Sequence, residues 1–396
     1  MCDCGVTRRS VACAVKGDRM QFRLARDVEL FRDEVRQFLR QSWQPAADDA
    51  SPDPRAFDAR LAERGWLTLA WPTAYGGAGA SHLQQLVYNE ELAYAEAPTG
   101  SHGVSWVGPT LMLHGTDEQK ARYLPPITSA LEYWCTLYSE PGAGSDLASL
   151  RLRAVRDGDE FVLDGQKIWS GRAHYADFGW LAARTDPSAP KHQGITLFIV
   201  DMNSPGVTVR PLLDLSGRHH FNEVFFEGVR VPRTNVVGEI NRGWYYIATA
   251  LDFERSGIQL FAGSRRVVEQ IVAGLRASMA PEWRRQLLRH EVAEREIEVS
   301  VGTNLAYRVA MMQAQGKVPN HEASTARVFG TELIQRVSLT AMRAAGLEGQ
   351  VRAGAHRGME DVAARYLIAA SETIAGGTSE IQRGIIATRG LGLPRG

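Results

Sequence analysis

Hydrophobic periodicity changes twice along this chain of 396 residues, and that succession restricts its fold more than any other feature. From residue 21 to 42 the apolar residues Leu24, Val28, Phe31, Val35 and Phe38 recur at steps of three and four, one face of an amphipathic helix. Residues 55–67, 81–97 and 117–132 read as further helices, broken by Pro and Gly. Between them, Trp71-Pro-Thr-Ala-Tyr-Gly-Gly-Ala-Gly79 reads as a tight interhelix turn. It lacks the preceding apolar strand and the glycine spacing of a dinucleotide-binding fingerprint. After residue 132 short β-prone runs take over, at 152–155, 160–163, 166–169, 179–183, 195–201, 207–211 and 222–226. Asp157-Gly158-Asp159, Asp164-Gly165 and Pro205-Gly206 supply hairpin turn chemistry. Beyond Asn241 long helical patterns return, over 241–278, 282–315, 320–345 and 358–375. The chain therefore reads as an α+β multidomain protein. Its expected parts are a disordered extension (1–19), an N-terminal helical domain (20–132), a middle β-domain (133–240) and a C-terminal helical bundle (241–396).

Composition narrows the function classes. Lys plus Arg and Asp plus Glu number 45 each, so there is no electrostatic case for binding nucleic acid or an anionic membrane. Four cysteines, three of them at Cys2, Cys4 and Cys13, make no disulfide framework and point to a reducing compartment. No run approaches the ~18 apolar residues of a membrane span, and a cytoplasmic protein is expected. His290-Glu291-Val-Ala-Glu294 has a glutamate where a zinc helix needs its second histidine, so no metal is expected. His219-His220 reads as a surface turn, and the charge run 291–298 as the solvated face of a helix. Ser139 and Ser145 have no adjacent His–Asp pair and read as ligand hydroxyls rather than nucleophiles.

Two glycine-bearing segments, far apart in the chain, carry the chemistry. Tyr138-Ser-Glu-Pro-Gly-Ala-Gly-Ser-Asp146 is rich in backbone donors and hydroxyls, and Gly376-Gly-Thr-Ser-Glu-Ile-Gln-Arg383 adds hydroxyls and a cation. With them go Gly115-Thr-Asp-Glu-Gln-Lys-Ala-Arg-Tyr-Leu-Pro125, Lys167-Ile-Trp169, Ala176-Asp177, Ala183-Arg184, Val237-Gly238-Glu239 and Leu391-Gly-Leu-Pro-Arg395. In this order, from about residue 22 onward, these strings resemble the acyl-CoA dehydrogenase family of flavoenzymes. The resemblance implies a helical domain, a barrel-like or sandwich β-domain and a four-helix bundle. It implies FAD as cofactor, with Thr136, Tyr138, Ser139, Gly144 and Ser145 along the flavin. Trp169 would pack on the flavin with Ser170 and Gly171 beside it, although many relatives carry a hydroxyl where Gly171 falls. Gly377, Thr378, Ser379 and Glu380 would line the dinucleotide portion, Glu380 replacing the more usual Gln. The family's Arg-x-x-Phe-Gly motif is absent, and Trp283-Arg-Arg285 occupies its region.

Removing the α-proton of an acyl thioester requires a carboxylate base. Most relatives place a Glu directly before the Gly-Thr of the second segment; here that residue is Gly376, whose backbone N–H could still polarise the thioester carbonyl. A subset of the family carries the base on the first long helix after the β-domain, before an Arg, where this chain has Leu251-Asp-Phe-Glu-Arg255. In helical phase, Trp244, Ile247, Leu251, Ile258 and Phe261 form an apolar stripe whose gap Glu254 fills. A glutamate there either ion-pairs with Arg255 or another arginine, or serves as base. The resemblance implies the second, with Asp252, Arg255 and Ser145 on the substrate. It further implies an electron-transfer flavoprotein as acceptor and a homo- or heterotetramer. Two alternatives stay open: a flavin-dependent monooxygenase on the same scaffold, and a catalytically silent subunit of a heteromer.

Overall fold

The computed structural model describes residues 24–44, 54–250, 256–277, 282–351 and 361–394. The expected N-terminal extension lies outside them. Five helices come first: α1 (Arg26–Ser42), α2 (Pro54–Glu63), α3 (His82–Tyr94), α4 (Gly108–His114) and α5 (Asp117–Thr128). The stripe read from α1 buries Val28, Val35 and Phe38 together with Leu39, and the last three pack against Phe57, Leu61, Trp66 and Tyr88. Reciprocal capping boxes, Ser81 with Gln84 and Thr116 with Gln119, fix the starts of α3 and α5. The segment 71–79 is a turn around a short 3-10 stretch, Thr73–Tyr75. It doubles back so closely that a Cβ on Gly77 would stand 2.0 Å from the Trp71 carbonyl oxygen.

Eight strands follow: β1 (Trp134–Leu137), β2 (Arg153–Asp157), β3 (Glu160–Lys167), β4 (Phe178–Arg184), β5 (Ile195–Asp201), β6 (Val207–Leu213), β7 (His219–Pro232) and β8 (Val236–Val237). They form one sheet in the order β6-β7-β3-β2-β4-β5-β8, with β1 paired to β4 in parallel. Alternation puts Trp180 and Ala182 of β4 with Leu197 and Ile199 of β5 on the face that meets α4 and α5. Leu181, Ala183, Phe198 and Val200 face the opposite core, with Phe161, Leu163 and Val224. Strand β1 was not anticipated: it buries three of its four residues, and a short apolar run without alternation carries no period of its own. The two strands expected at 160–163 and 166–169 are one strand, bulged between Leu163 and Gly165. Gly165 has φ +146 and its would-be Cβ lies 2.9 Å from the Leu152 Cα, so glycine is required at the bulge. His219 and His220 lie inside β7, not in a surface turn. His219 Nε2 sits 2.7 Å from the Asn222 side-chain oxygen.

The chain ends in α6 (Gly243–Ala250), α7 (Ile258–Ala277), α8 (Glu282–Ala314), α9 (His321–Ala345), α10 (Val362–Glu372) and α11 (Ser379–Ile385). Helices α7 to α10 share one core, including Phe261, Val299, Leu333 and Val362, into which Leu86 of α3 also inserts. Beside Leu86, the buried Glu90 accepts from Arg32 (3.1 Å), the Tyr307 hydroxyl (2.7 Å) and Arg265 (3.4 Å), fastening the N-terminal helices to the bundle. The single helix expected over 241–278 is two helices, because Ser256 and Gly257 are not helical and Gly257 has φ +66. The spacing from Trp244 to Phe261 therefore does not run along one continuous helix. The charge run on α8 is not wholly solvated either. Glu291 accepts from Thr340 and Arg343 (2.9 Å each), and Glu298 pairs with Arg336 (2.9 Å), so part of it is spent on α9.

Candidate functional site

Strands β1 and β3 deliver two of the three predicted segments to one end of the sheet. Lys167, last residue of β3, falls in the inward phase of Phe161 and Leu163 and is fully buried. Its Nζ donates to the Tyr138 carbonyl (2.9 Å) and to Glu140 Oε1 (2.8 Å). Glu140 also accepts the backbone N–H groups of Arg151 (2.6 Å) and Leu152 (2.9 Å). The Ile168 N–H donates to the Ser139 carbonyl (3.0 Å). The loop starting at Tyr138 is thus clamped to the end of β3, with Tyr138 and Ser139 side by side with Ile168 and Trp169. Burial pushes the Lys167 ammonium down to about 8, against the opposing pull of Glu140. Sequence reasoning missed this clamp. The signal was a lysine in the inward phase of a strand, where an ammonium is tolerated only with a partner.

Beyond the clamp, Trp169 and Arg172 both adopt left-handed backbone conformations, φ +60 and +66. A bulky residue there is strained, and such strain gathers at ligand sites. Trp169 is 60% exposed, and its ring meets Phe221 edge-on at 6.0 Å. Ser170 exchanges backbone hydrogen bonds with Asn222 (3.1 Å each way), while its buried Oγ has no partner among the described residues. Gly171 has open surroundings, the nearest atom to a would-be Cβ being the His220 carbonyl oxygen at 3.8 Å. Gly142 and Gly144 likewise face open space, and Ser145 is exposed.

A row of rings backs the loop. His102, Trp106 and Tyr138 stack in sequence with centroids 5.2 and 6.0 Å apart. A π-helical turn, Gly103–Val107, carries Trp106 into the row. The Thr136 N–H donates to His102 Nδ1 (3.2 Å), which assigns the proton to Nε2, and the Thr136 hydroxyl lies 3.1 Å from the same nitrogen. Burial, reinforced by the Arg172 charge, pushes His102 down to about 4. Arg172 itself donates to the Gly100 carbonyl, tying this loop to the N-terminal domain. The Tyr138 hydroxyl is buried, and burial pushes its ionisation up. Trp180 is its neighbour, yet among the described residues neither the Tyr138 hydroxyl nor Trp180 Nε1 has a hydrogen-bond partner. His102, Trp106 and Arg172 were not singled out from the sequence, since nothing local marks them.

The third segment is the turn between α10 and α11. Gly376 and Gly377 have φ +63 and +93, and the Thr378 hydroxyl accepts the Ile381 N–H (3.2 Å) to start α11. Ser379 is buried with an unpartnered Oγ. Glu380 is exposed, its carboxyl held below the usual range by its own N–H and the Thr378 hydroxyl. Among the described residues no hydrogen bond joins this turn to the loops at 138–145 and 169–171. Asp252, Glu254 and Arg255 lie outside the described residues. The open face of Trp169, the orphaned Ser170 hydroxyl and the unfilled space at Gly142, Gly144 and Gly171 fit a planar aromatic group with a hydrogen-bonding edge. Among the described residues no helix is long and apolar enough to cross a membrane, and no side-chain cluster could hold a metal.

Comparison with known proteins agrees with this architecture. Residues 25–130, 135–229 and 241–391 match the N-terminal, middle and C-terminal domains of acyl-CoA dehydrogenases. The chain is 38% identical to acyl-CoA dehydrogenase FadE26 of Mycobacterium tuberculosis (strain ATCC 25618 / H37Rv), over 85% of its own length and 87% of that protein. It is also 38% identical to FadE34 of the same organism, but there the match spans 46% of the longer relative. Among solved structures, the Tcur3481-Tcur3483 steroid ACAD superposes with a TM-score of 0.87 at 35% identity, covering 95% of this chain and 100% of that one. The ChsE4-ChsE5 complex from Mycobacterium tuberculosis gives 0.85 at 34% identity, with the same coverage. This chain belongs to the acyl-CoA dehydrogenase family, flavoproteins that act as oxidoreductases on CH–CH bonds.

Proposed function

We propose that this chain catalyses the FAD-dependent α,β-dehydrogenation of an acyl thioester, either a coenzyme A ester or a carrier-bound acyl group. One observation carries the reading: the exposed, left-handed Trp169 stands beside a loop clamped by the fully buried Lys167 and its partner Glu140. A rigid aromatic shelf next to fixed backbone groups is what positioning a flavin requires. The flavin, when bound, supplies the hydride acceptor. Tyr138, Ser139, Trp169 and Ser170 would hold its ring, with Thr136, Gly144 and Gly171 alongside. Gly377, Thr378, Ser379 and Glu380 would line the dinucleotide. The Gly376 N–H would donate to the thioester carbonyl and stabilise charge developing on that oxygen.

The base in this proposal is Glu254, whose carboxylate takes the α-proton. Asp252 and Arg255 would hold the distal, nucleotide end of the substrate, and Ser145 the ligand side of the loop. The likeness to a steroid ACAD points to a bulky, ring-bearing acyl group. Leu287, Ile297, Val301 and Met311 of α8 expose 66, 64, 46 and 52% of their surface, apolar area suited to homo- or heterotetramer assembly. An electron-transfer flavoprotein is the proposed acceptor.

The test is anaerobic titration of the flavin-loaded protein with a panel of acyl thioesters. Bleaching of the oxidised flavin is expected, slowed about 10²–10⁴-fold in Glu254→Gln. Equal rates in both would move the base elsewhere. Bound flavin that no thioester bleaches would favour the monooxygenase or silent-subunit reading.

A further inference from the structure

The turn that lacks the usual carboxylate is built around a cation. Arg327 reaches across from α9, and its Nη2 donates to the Ala375 carbonyl at 2.5 Å. A Cβ placed on Gly376 would stand 2.8 Å from that Nη2 and 3.3 Å from Cζ. The first volume a side chain at 376 would enter is therefore already held by a guanidinium. That guanidinium has spare capacity, because its buried Nε has no partner among the described residues. The charged group facing it from α10 is Glu372, which is not within ion-pair distance among the described contacts; burial pushes Glu372 up and Arg327 down, each partly offset by the other. On its own helix, Glu332 is already spent on Arg383 of α11 at 2.5 Å.

We propose that Arg327 determines where this site can keep its base. It holds the Ala375–Gly377 turn through the Ala375 carbonyl and fills the space beside Gly376 with positive charge. A carboxylate at 376 would meet an under-used guanidinium, form a charge-assisted pair and become a poor proton acceptor. Proton abstraction is thereby left to another element. Arg327 is a positioning residue in this account, which rests on the acyl thioester reading above.

The experiment uses the full-length, flavin-loaded protein carrying Gly376→Glu, with and without Arg327→Gln, which keeps a donor for Ala375 but removes the charge. Melting temperatures of the four proteins in the cycle give the coupling between the two sites. The expected coupling is at least about 3 °C at pH 7, shrinking as pH falls below about 4, where the new carboxylate protonates first in the unfolded chain and then in the folded one. In a Glu254→Gln background, Gly376→Glu is expected to restore less than about a tenth of the lost thioester-dependent bleaching rate. Adding Arg327→Gln should raise that rate at least tenfold. Absence of coupling at pH 7, or restored bleaching with Arg327 intact, overturns the proposal. If Glu254→Gln bleaches normally, the assignment of the base fails, while the melting cycle still decides the role of Arg327. Should Arg327→Gln not fold, Arg327→Lys keeps the charge at shorter reach, and a smaller but nonzero coupling is expected from it.

Discussion

Replacing Lys167 by Met tests the clamp on which the site rests. The substitution keeps an unbranched chain of similar length but removes a fully buried ammonium that binds the Tyr138 carbonyl and Glu140. Glu140, whose side chain is 9% exposed, would keep only the backbone N–H groups of Arg151 and Leu152. Breaking one side of a buried ion pair typically costs about 3–5 kcal/mol. The lower end applies, because burial already holds the Lys167 ammonium at about 8 and the mutation removes that unfavourable burden too. A loss of about 3 kcal/mol should shift the urea midpoint by about 1 M. In Lys167→Met/Glu140→Gln most of the loss should return, since the stranded charge goes with its partner. A shift equivalent to less than about 1 kcal/mol, or a double variant as weak as the single one, would refute the reasoning.

The same lysine fixes the sign of a pH effect. Its folded value of about 8 lies below the model-peptide value of 10.5. Between those values the unfolded chain holds a proton that the folded protein has released, so native stability rises with pH. The whole effect is about 3 kcal/mol. It should appear as a difference between wild type and Lys167→Met, which cancels the titration of every group they share.

His102 gives a test of the same sign at acid pH. With its folded value near 4, stability should fall as pH drops from about 6.5 to 4, by up to about 3 kcal/mol, and His102→Gln should flatten that limb in urea titrations. Trp169→Gly should change the stability of flavin-free protein by no more than about 1 kcal/mol, since it relieves a left-handed φ and removes an exposed ring. The same variant should weaken flavin binding at least about tenfold by equilibrium dialysis; unchanged affinity would show that the ring is not the shelf. Gly376→Ala should cost about 1–2 kcal/mol, from a left-handed alanine and a displaced Arg327. Gly144→Ala, which meets nothing within 4 Å, should cost less than half of that in the same urea titration.

Much of the architecture was legible because period is a local property. The stripe Val28, Val35, Phe38 in α1 and the alternation in β6, where Val207 and Val209 pack inward between exposed Thr208 and Arg210, each report a face that packing must cover. Elements failed where the cause was not local. β1 is buried on both sides and shows no alternation, and β3 looked like two strands because the glycine needed against Leu152 interrupts its pattern. The helix expected over 241–278 concealed a break at Ser256 and Gly257, since one glycine among good helix formers seldom overrides a strong apolar repeat on paper.

The site divides along the same line. Tyr138, Ser139, Trp169 and Ser170 could be named from motifs and do lie together, because β1 and β3 end side by side and the Ile168 N–H joins the two loops. What makes them usable could not be read from the motifs. Lys167 clamps Glu140 across the interval between two strands, Arg172 reaches Gly100 in another domain, and Arg327 meets Gly376 only because α9 passes beneath the turn. Each of these supports is a charged side chain paired with something distant in sequence. Burial makes such pairs obligatory, since an unpartnered ammonium or guanidinium in these positions would cost several kcal/mol. A motif therefore names groups that end up side by side, whereas the charges that fix their geometry emerge only when the fold brings their partners into range. The glycine at 376 shows the consequence. By sequence it is a missing carboxylate; in space it is a position whose side-chain volume belongs to Arg327, so restoring the carboxylate without removing the cation should not restore a base.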